Sequence, residues 1–232
     1  IMSVISGSII VPVVYLLGRK IFGAWVAVLS CILLVFDPLQ HVMSRVAMLD
    51  IFLSLFVALA FLGVCYGRFS LSAIFLGLAC GVKLSGAYAV AGVVAYLLFS
   101  KRVSCAARMI PIVASTFLLT LLPVVISSRG SYIDIFWFTL NWHSSFASPH
   151  PFASSPSGWL FNSVPFPIYG PQNISAATNP LIYPISLPVA ALLVYDAVHK
   201  RCCSLKLLPV FWLAFVYGLF LILPRKIQFI FY

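Results

Sequence analysis

Acids are almost missing from this 232-residue chain, which has four aspartates (Asp37, Asp50, Asp134 and Asp196) and no glutamate. Charged residues of both signs make up 8% of it, against 63% hydrophobic, and the mean hydropathy is +1.13. A water-soluble domain of this length cannot cover its surface with so little polar material, so the surrounding solvent is lipid. Alternation of apolar and polar positions is also lacking: runs such as Ile51-Phe52-Leu53 and 219–223 are apolar throughout, which excludes a transmembrane barrel and leaves helices. There is no Walker loop, no dinucleotide glycine fingerprint, no HExxH and no G-x-S-x-G. His143 and His150, seven apart without further ligands, give no reason to expect a metal. None of the six cysteines lies in the long polar stretch, so no disulfide framework is expected. Cys202-Cys203 reads as small apolar filler, with palmitoylation as the other reading.

The net charge of +10 does not imply nucleic acid, because the basic residues sit in pairs flanking apolar runs rather than on one face. They are topology signals. Spans are expected near 1–17, 21–37, 46–66, 109–127, 179–197 and 207–224, with a further one starting near 227. Residues 70–99 are too long for one span and are interrupted by Gly77, Gly81, Lys83 and Gly86. Charge decides how to divide them. Two short passes, 70–82 and 86–99, put Arg19, Lys20, Arg68, Lys101, Arg102, Arg108, Lys200, Arg201 and Lys206 on one side, which is then cytoplasmic. Arg45, Arg129, Arg225 and Lys226 fall opposite, with Lys83 at an external turn. The expectation is therefore an all-α polytopic bundle of about eight spans. It forms a single transmembrane domain over 1–232, with an external loop at 128–180 that is too long to be a mere connector. Asn173-Ile174-Ser175 in that loop is a glycosylation sequon on the external side. The chain begins inside an apolar run and stops at Phe231-Tyr232, soon after another starts, and reads as a fragment.

On this topology three of the four acids lie at or beyond the external face. Asp50 is the sharpest signal: expected about one turn into helix 46–66, it needs a partner, and an ion pair with Arg45 or a neighbouring helix is its structural reading. Asp37, before Pro38, suits a cap or turn. Lys83 could simply snorkel. Alternatively, its ammonium and the amides of a glycine-flanked helix break form an anion contact suited to phosphate. Arg45, Lys83, Arg225, His41 and His150 together could surround an anionic headgroup, while Asp50 supplies a carboxylate. The aromatics Phe136, Trp137, Phe138, Trp142 and Trp159 read singly as interfacial anchors.

Several stretches resemble the protein O-mannosyltransferases, the dolichyl-phosphate-mannose–protein mannosyltransferase family. Arg45-Val46-Ala47-Met48-Leu49-Asp50-Ile51-Phe52-Leu53 is similar to that family's arginine-to-Leu-Asp segment. Residues Gly77 to Gly86 resemble its glycine-rich segment ending in Lys-Trp-Ser-Gly, with Leu84 in place of Trp. Trp142-His143, then His150-Pro151-Phe152-Ala153-Ser154 and Trp159, resemble its His-Pro-Tyr-x-Ser-x-Pro-Trp region, although Val164-Pro165 stands where Arg-Pro is expected. Residues 174–183 and 224–232 resemble two later family stretches, the second without a His before Tyr232.

The resemblance implies a C-type glycosyltransferase fold. It also implies transfer of a sugar, mannose by family, from a polyprenyl- or dolichyl-phosphate carrier to a hydroxyl, that of a protein Ser or Thr. The implied partners are that donor, the hydroxyl acceptor and membrane lipid; no cofactor or nucleic acid is implied. It further implies a catalytic aspartate in an acidic pair upstream of residue 1, with Asp50 supporting. Arg45, Asp50, Lys83 and Arg225 are implied at the lipid phosphate, and His143, His150 and Trp159 on the sugar or acceptor side. Two other function classes fit the composition: a transporter with a midplane site in the 70–99 hairpin, and a non-catalytic scaffold. The transporter lacks an evident inverted repeat, and its polar residues gather at one face rather than at mid-depth.

Overall fold

The computed structural model describes residues 1–128, 132–145, 151–170, 174–200 and 204–222. Its helices are α1 Met2–Ile21, α2 Ala24–Val35, α3 Pro38–Met43, α4 Asp50–Cys65, α5 Phe69–Val82, α6 Gly86–Phe99, α7 Val103–Ser127, α8 Tyr132–Ser145, α9 Pro156–Trp159, α10 Ile182–His199 and α11 Leu208–Ile222. The only sheet among the described residues is the antiparallel pair β1 Phe166–Tyr169 and β2 Ile174–Ala176. The chain is an all-α membrane helix bundle.

The apolar runs become helices because lipid leaves the backbone no other partner. α7 tolerates Pro111 and Pro123 in its interior, as membrane helices do. Each break has a local cause. Arg19 and Lys20 end α1 and favour its negative pole, and Gly23, at φ +102°, makes the left-handed turn into α2.

Among the described residues four helical stretches are long and apolar enough to cross a membrane: α1, α7, α10 and Leu205–Ile222, the last being a 3-10 turn running into α11. Four shorter apolar helices are α2, α4, α5 and α6. The 70–99 region is thus two helices rather than one. At 14 residues each, α5 and α6 reach about 21 Å, short of a ~30 Å hydrocarbon core. Their burial makes this tolerable: α5 packs against both α4 and α7, and α6 against α11. The exterior, by contrast, is apolar, with Trp25 89% exposed and Phe36 77%. A surface of this kind belongs in lipid.

Two apolar clusters fill the interior. One joins α4, α5, α6, α7 and the start of α11 through Val64, Leu76, Val93, Leu97, Met109 and Leu208. The other joins α1, α3, α4, α9, β2 and α11 through Ile10, Met43, Ile51, Leu55, Trp159, Ala176 and Phe220. The region expected as an external loop is therefore partly structured, and it is packed into the bundle.

Candidate functional site

α4 runs away from Asp50 and α5 returns to Lys83, so the hairpin places these two residues at the same end. Their side chains meet, with Lys83 Nζ donating to Asp50 Oδ1 at 2.8 Å, and they are only 23% and 14% exposed. Close packing holds this geometry. Gly86, at the start of α6, lies so near α5 that an added Cβ would be 2.6 Å from the Ala79 carbonyl carbon and 2.7 Å from the Cys80 nitrogen. A larger residue there would push α6 and the Lys83 turn apart.

The structure refines the sequence expectations at this end. Asp50 is the first residue of α4 rather than one turn inside it, because Ser44 to Leu49 leave the helical path. A carboxylate in a first turn is favoured by the helix's positive pole, so its placement is less costly than a mid-helix site. Of the two partners expected for Asp50, Arg45 or a neighbouring helix, the second is found: the ion pair is with Lys83 at the end of α5, while the exposed Arg45 guanidinium donates from Nη1 to the His41 carbonyl at 3.0 Å. Finally, the amides of Gly86, Ala87 and Tyr88 are engaged by the carbonyls of Lys83, Leu84 and Ser85.

Asp50 also lines a cavity of about 530 Å³. Its walls are mostly apolar, from Ile10, Val14 and Leu17 of α1 to Val57 and Phe61 of α4 and Trp212 and Val216 of α11. Its few polar members include Asp37, Gln40, Asp50, Ser54, Ser85 and Tyr183. A largely apolar chamber with carboxylates and hydroxyls in its lining suits an amphiphile with an apolar tail and a polar head.

Asp37 caps α3 as expected, its Oδ2 accepting from the Gln40 amide at 2.9 Å with Pro38 in the first turn. It is more than a cap. The side chain is 6% exposed, and Tyr183 Oη, across the cavity mouth on α10, lies 3.5 Å from the same Oδ2. Burial raises the Asp37 carboxyl above its ordinary value, against the lowering effect of the Gln40 amide, the Tyr183 hydroxyl and the Leu39 amide. Asp-Pro before a short helix announces the cap; only the partner 146 residues away reveals the buried face.

Trp159 is buried rather than interfacial. Its indole donates to Ser154 Oγ at 2.9 Å and packs edge-on against Phe220, 5.4 Å between centroids. Phe220 in turn packs on Tyr88, near Lys83 in sequence, at 5.2 Å. Thr178 Oγ1 donates to the Trp159 carbonyl at 2.5 Å and Tyr217 Oη to the Pro156 carbonyl at 3.0 Å. These bonds fasten the segment after α8 over the bundle end that holds Asp50 and Lys83. His150, Arg225, Lys226 and Asn173 lie outside the described residues, as does the His143 side chain, although its backbone belongs to α8.

A family model described as dolichyl-phosphate-mannose-protein mannosyltransferase matches residues 1–137. The chain belongs to this family. No curated protein and no solved structure matches it. As a member of the mannosyltransferase family it is a membrane glycosyltransferase. The matched residues include Asp37, Arg45, Asp50 and Lys83 and end before Trp159.

Proposed function

We propose that this mannosyltransferase-family chain transfers mannose from a polyprenyl-phosphate carrier to the hydroxyl of a protein Ser or Thr. The reaction site is the bundle end where Asp50 meets Lys83, facing the non-cytoplasmic side of an eight-pass bundle. The observation that carries this reading is the Asp50–Lys83 ion pair at the polar end of a largely apolar cavity. The cavity takes the polyprenyl chain, and the headgroup lies at the pair.

The chemistry follows from where charge develops. The acceptor oxygen attacks the anomeric carbon, the bond from that carbon to the phosphate oxygen breaks, and the leaving phosphate gains negative charge. Cations fixed beside it stabilise the transition state more than the ground state. Lys83 is held for this by Asp50, which keeps the ammonium oriented and shares it with the phosphate when the donor arrives. Arg45, exposed and five residues before Asp50, adds charge near the headgroup, and Arg225 is assigned the same role from the family resemblance. The acceptor's proton goes to a carboxylate base, which the resemblance places upstream of residue 1, leaving Asp50 to orient the headgroup. Trp159, with His143 and His150, belongs to the sugar or acceptor side.

The test is transfer of labelled mannose from a polyprenyl phosphate to a Ser/Thr-rich peptide by the full-length protein in liposomes. Lys83→Ala is expected to lower turnover by roughly 100-fold, comparable to removing one preorganised charge-stabilising group, and Arg45→Ala by less. Both variants are expected to remain folded by size-exclusion chromatography. Unchanged turnover in both would remove the headgroup site.

A further inference from the structure

The end of the bundle opposite the Asp50–Lys83 pair gathers positive charge that the chain itself does not answer. α1 carries Arg19 and Lys20 in its last turn, the three-residue link from α4 to α5 carries Arg68, and the three-residue link from α6 to α7 carries Lys101 and Arg102. Contacts on either side of Arg68 draw these segments together. Lys20 Nζ lies over the ring of Tyr66, two residues before it, and the Arg102 guanidinium over Phe69, the residue after it. All five cations are exposed. The chain has four acids with which to match them. Asp50 holds Lys83 and Asp37 caps α3 at the opposite end, Asp134 belongs to α8 beyond the far end of α7, and Asp196 is taken by Lys200. Among the described residues no ion pair involves any of the five.

Paired charges set topology wherever they fall along a membrane surface; a binding site needs charges from separate turns held together, and the rings of Tyr66 and Phe69 do that here. Like charges so gathered repel, and an anion from outside the chain relieves them. The surroundings select its kind. Phe99 and Val103, on either side of the α6–α7 link, are 57% and 58% exposed, and Leu71 of α5 is exposed beside Arg68. A free phosphate would meet the cations and leave this apolar rim bare, whereas an anionic lipid uses both. We propose that the end of α1 and the α4–α5 and α6–α7 links together bind the headgroup of an anionic glycerophospholipid of the adjoining leaflet, its acyl chains lying along Phe99 and Val103. The site is independent of the sugar-transfer reading and lies at the other end of the helices.

The test measures thermal unfolding midpoints of the full-length protein in a neutral detergent, because a ligand that binds the folded chain raises the midpoint. It is titrated with short-chain phosphatidylserine, short-chain phosphatidylcholine or inorganic phosphate. Phosphatidylserine is expected to raise the midpoint, and the other two at equal concentration to leave it unchanged. Arg68→Gln and Lys101→Gln each remove one exposed charge and are expected to weaken the apparent affinity for phosphatidylserine roughly fivefold, the scale of one cation at a lipid surface. Lys200→Gln, whose charge Asp196 already answers, is expected to change it by less than about twofold. An equal response to both lipids overturns the site, and an equal response to inorganic phosphate overturns the lipid as its occupant. No loss in the Arg68 and Lys101 variants, or the same loss in all three, reduces the effect to net charge and overturns the site as well. Salt gives a second arm that needs no variant to fold. Raising it from about 0.05 M to about 0.5 M on the unmodified protein is expected to remove most of the preference for phosphatidylserine, and a preference that persists overturns the assignment.

Discussion

The two ends of the α4–α5–α6 unit use their cations differently. At the Arg68 end two of the described positive charges lie over aromatic rings, Lys20 Nζ 5.2 Å from the centre of Tyr66 and the Arg102 guanidinium 5.8 Å from Phe69, and Lys200 pairs with Asp196 one helical turn away. The cluster nearby is built from hydrophobic side chains. At the other end Lys83 is largely withdrawn from solvent, bonded to a carboxylate, and next to a cavity. Cations over rings at a helix end anchor the bundle in the interface and tolerate replacement. A cation with a carboxylate in a half-dry site is costly to keep without a ligand to bind, and that cost marks the site.

The comparison can be broken most forcefully at the packing that sets up the Lys83 end. Gly86→Val places side-chain carbon against the Ala79 and Cys80 backbone and is expected to cost about 3 kcal/mol or more, seen as lost monodisperse protein and lost turnover together. Trp159→Ala removes a buried indole and its contact with Phe220; a loss of about 3 kcal/mol in detergent unfolding is expected, with turnover falling as the segment over the site loosens. A smaller effect separates pairing from packing. Lys83→Met leaves Asp50 unpaired and is expected to lower stability by about 1–3 kcal/mol, most of which the double variant with Asp50→Asn restores without restoring transfer. Recovery of transfer in the double variant would make the pair structural only.

At the opposite end, Lys20→Ala and Arg102→Ala are each expected to change stability by about 0.5–1 kcal/mol and turnover by no more than about twofold. The smallest effect concerns Asp37. Because burial raises its folded-state carboxyl, the native chain keeps that proton to higher pH than the unfolded chain does. The associated stability is complete below the ordinary carboxylate value of about 4 and declines as pH rises through the raised one. Unfolding midpoints measured across that window are expected to fall with pH, and Asp37→Asn to flatten the slope.

The apolar helices, their order and the division of residues 70–99 are legible in the sequence because lipid forces each apolar run to satisfy its own backbone, and glycine and paired charges mark the ends; α3, α8, α9 and the two strands, which lie outside those runs, are not. Asp50 and Lys83 stand out for a related reason, since a charge inside so apolar a chain must be matched. Their pairing with each other rather than with Arg45 depends on α4 starting at Asp50, and helix starts without a capping side chain leave little trace: Leu49 caps nothing. The burial of Trp159 is hidden for another reason. An aromatic residue in a polar segment looks the same whether it rests at an interface or packs against α11, and only the Trp159 contact with Phe220 and the neighbouring Tyr217 bond to the Pro156 carbonyl distinguish the two. The Tyr183 contact of Asp37 comes from a distant helix, which no local pattern records.

The most direct measurement is photo-crosslinking of the full-length protein in liposomes with a polyprenyl phosphate carrying a photoreactive group along its chain, followed by mapping of the labelled residues. Label is predicted on the cavity walls, at Ser54 and Phe61 of α4 and Trp212 of α11, and it is predicted to be displaced by unlabelled polyprenyl phosphate and weakened by Lys83→Ala. Label confined to the lipid-facing Trp25 and Leu29 of α2, and indifferent to Lys83→Ala, would contradict a lipid-phosphate site at the Asp50–Lys83 end.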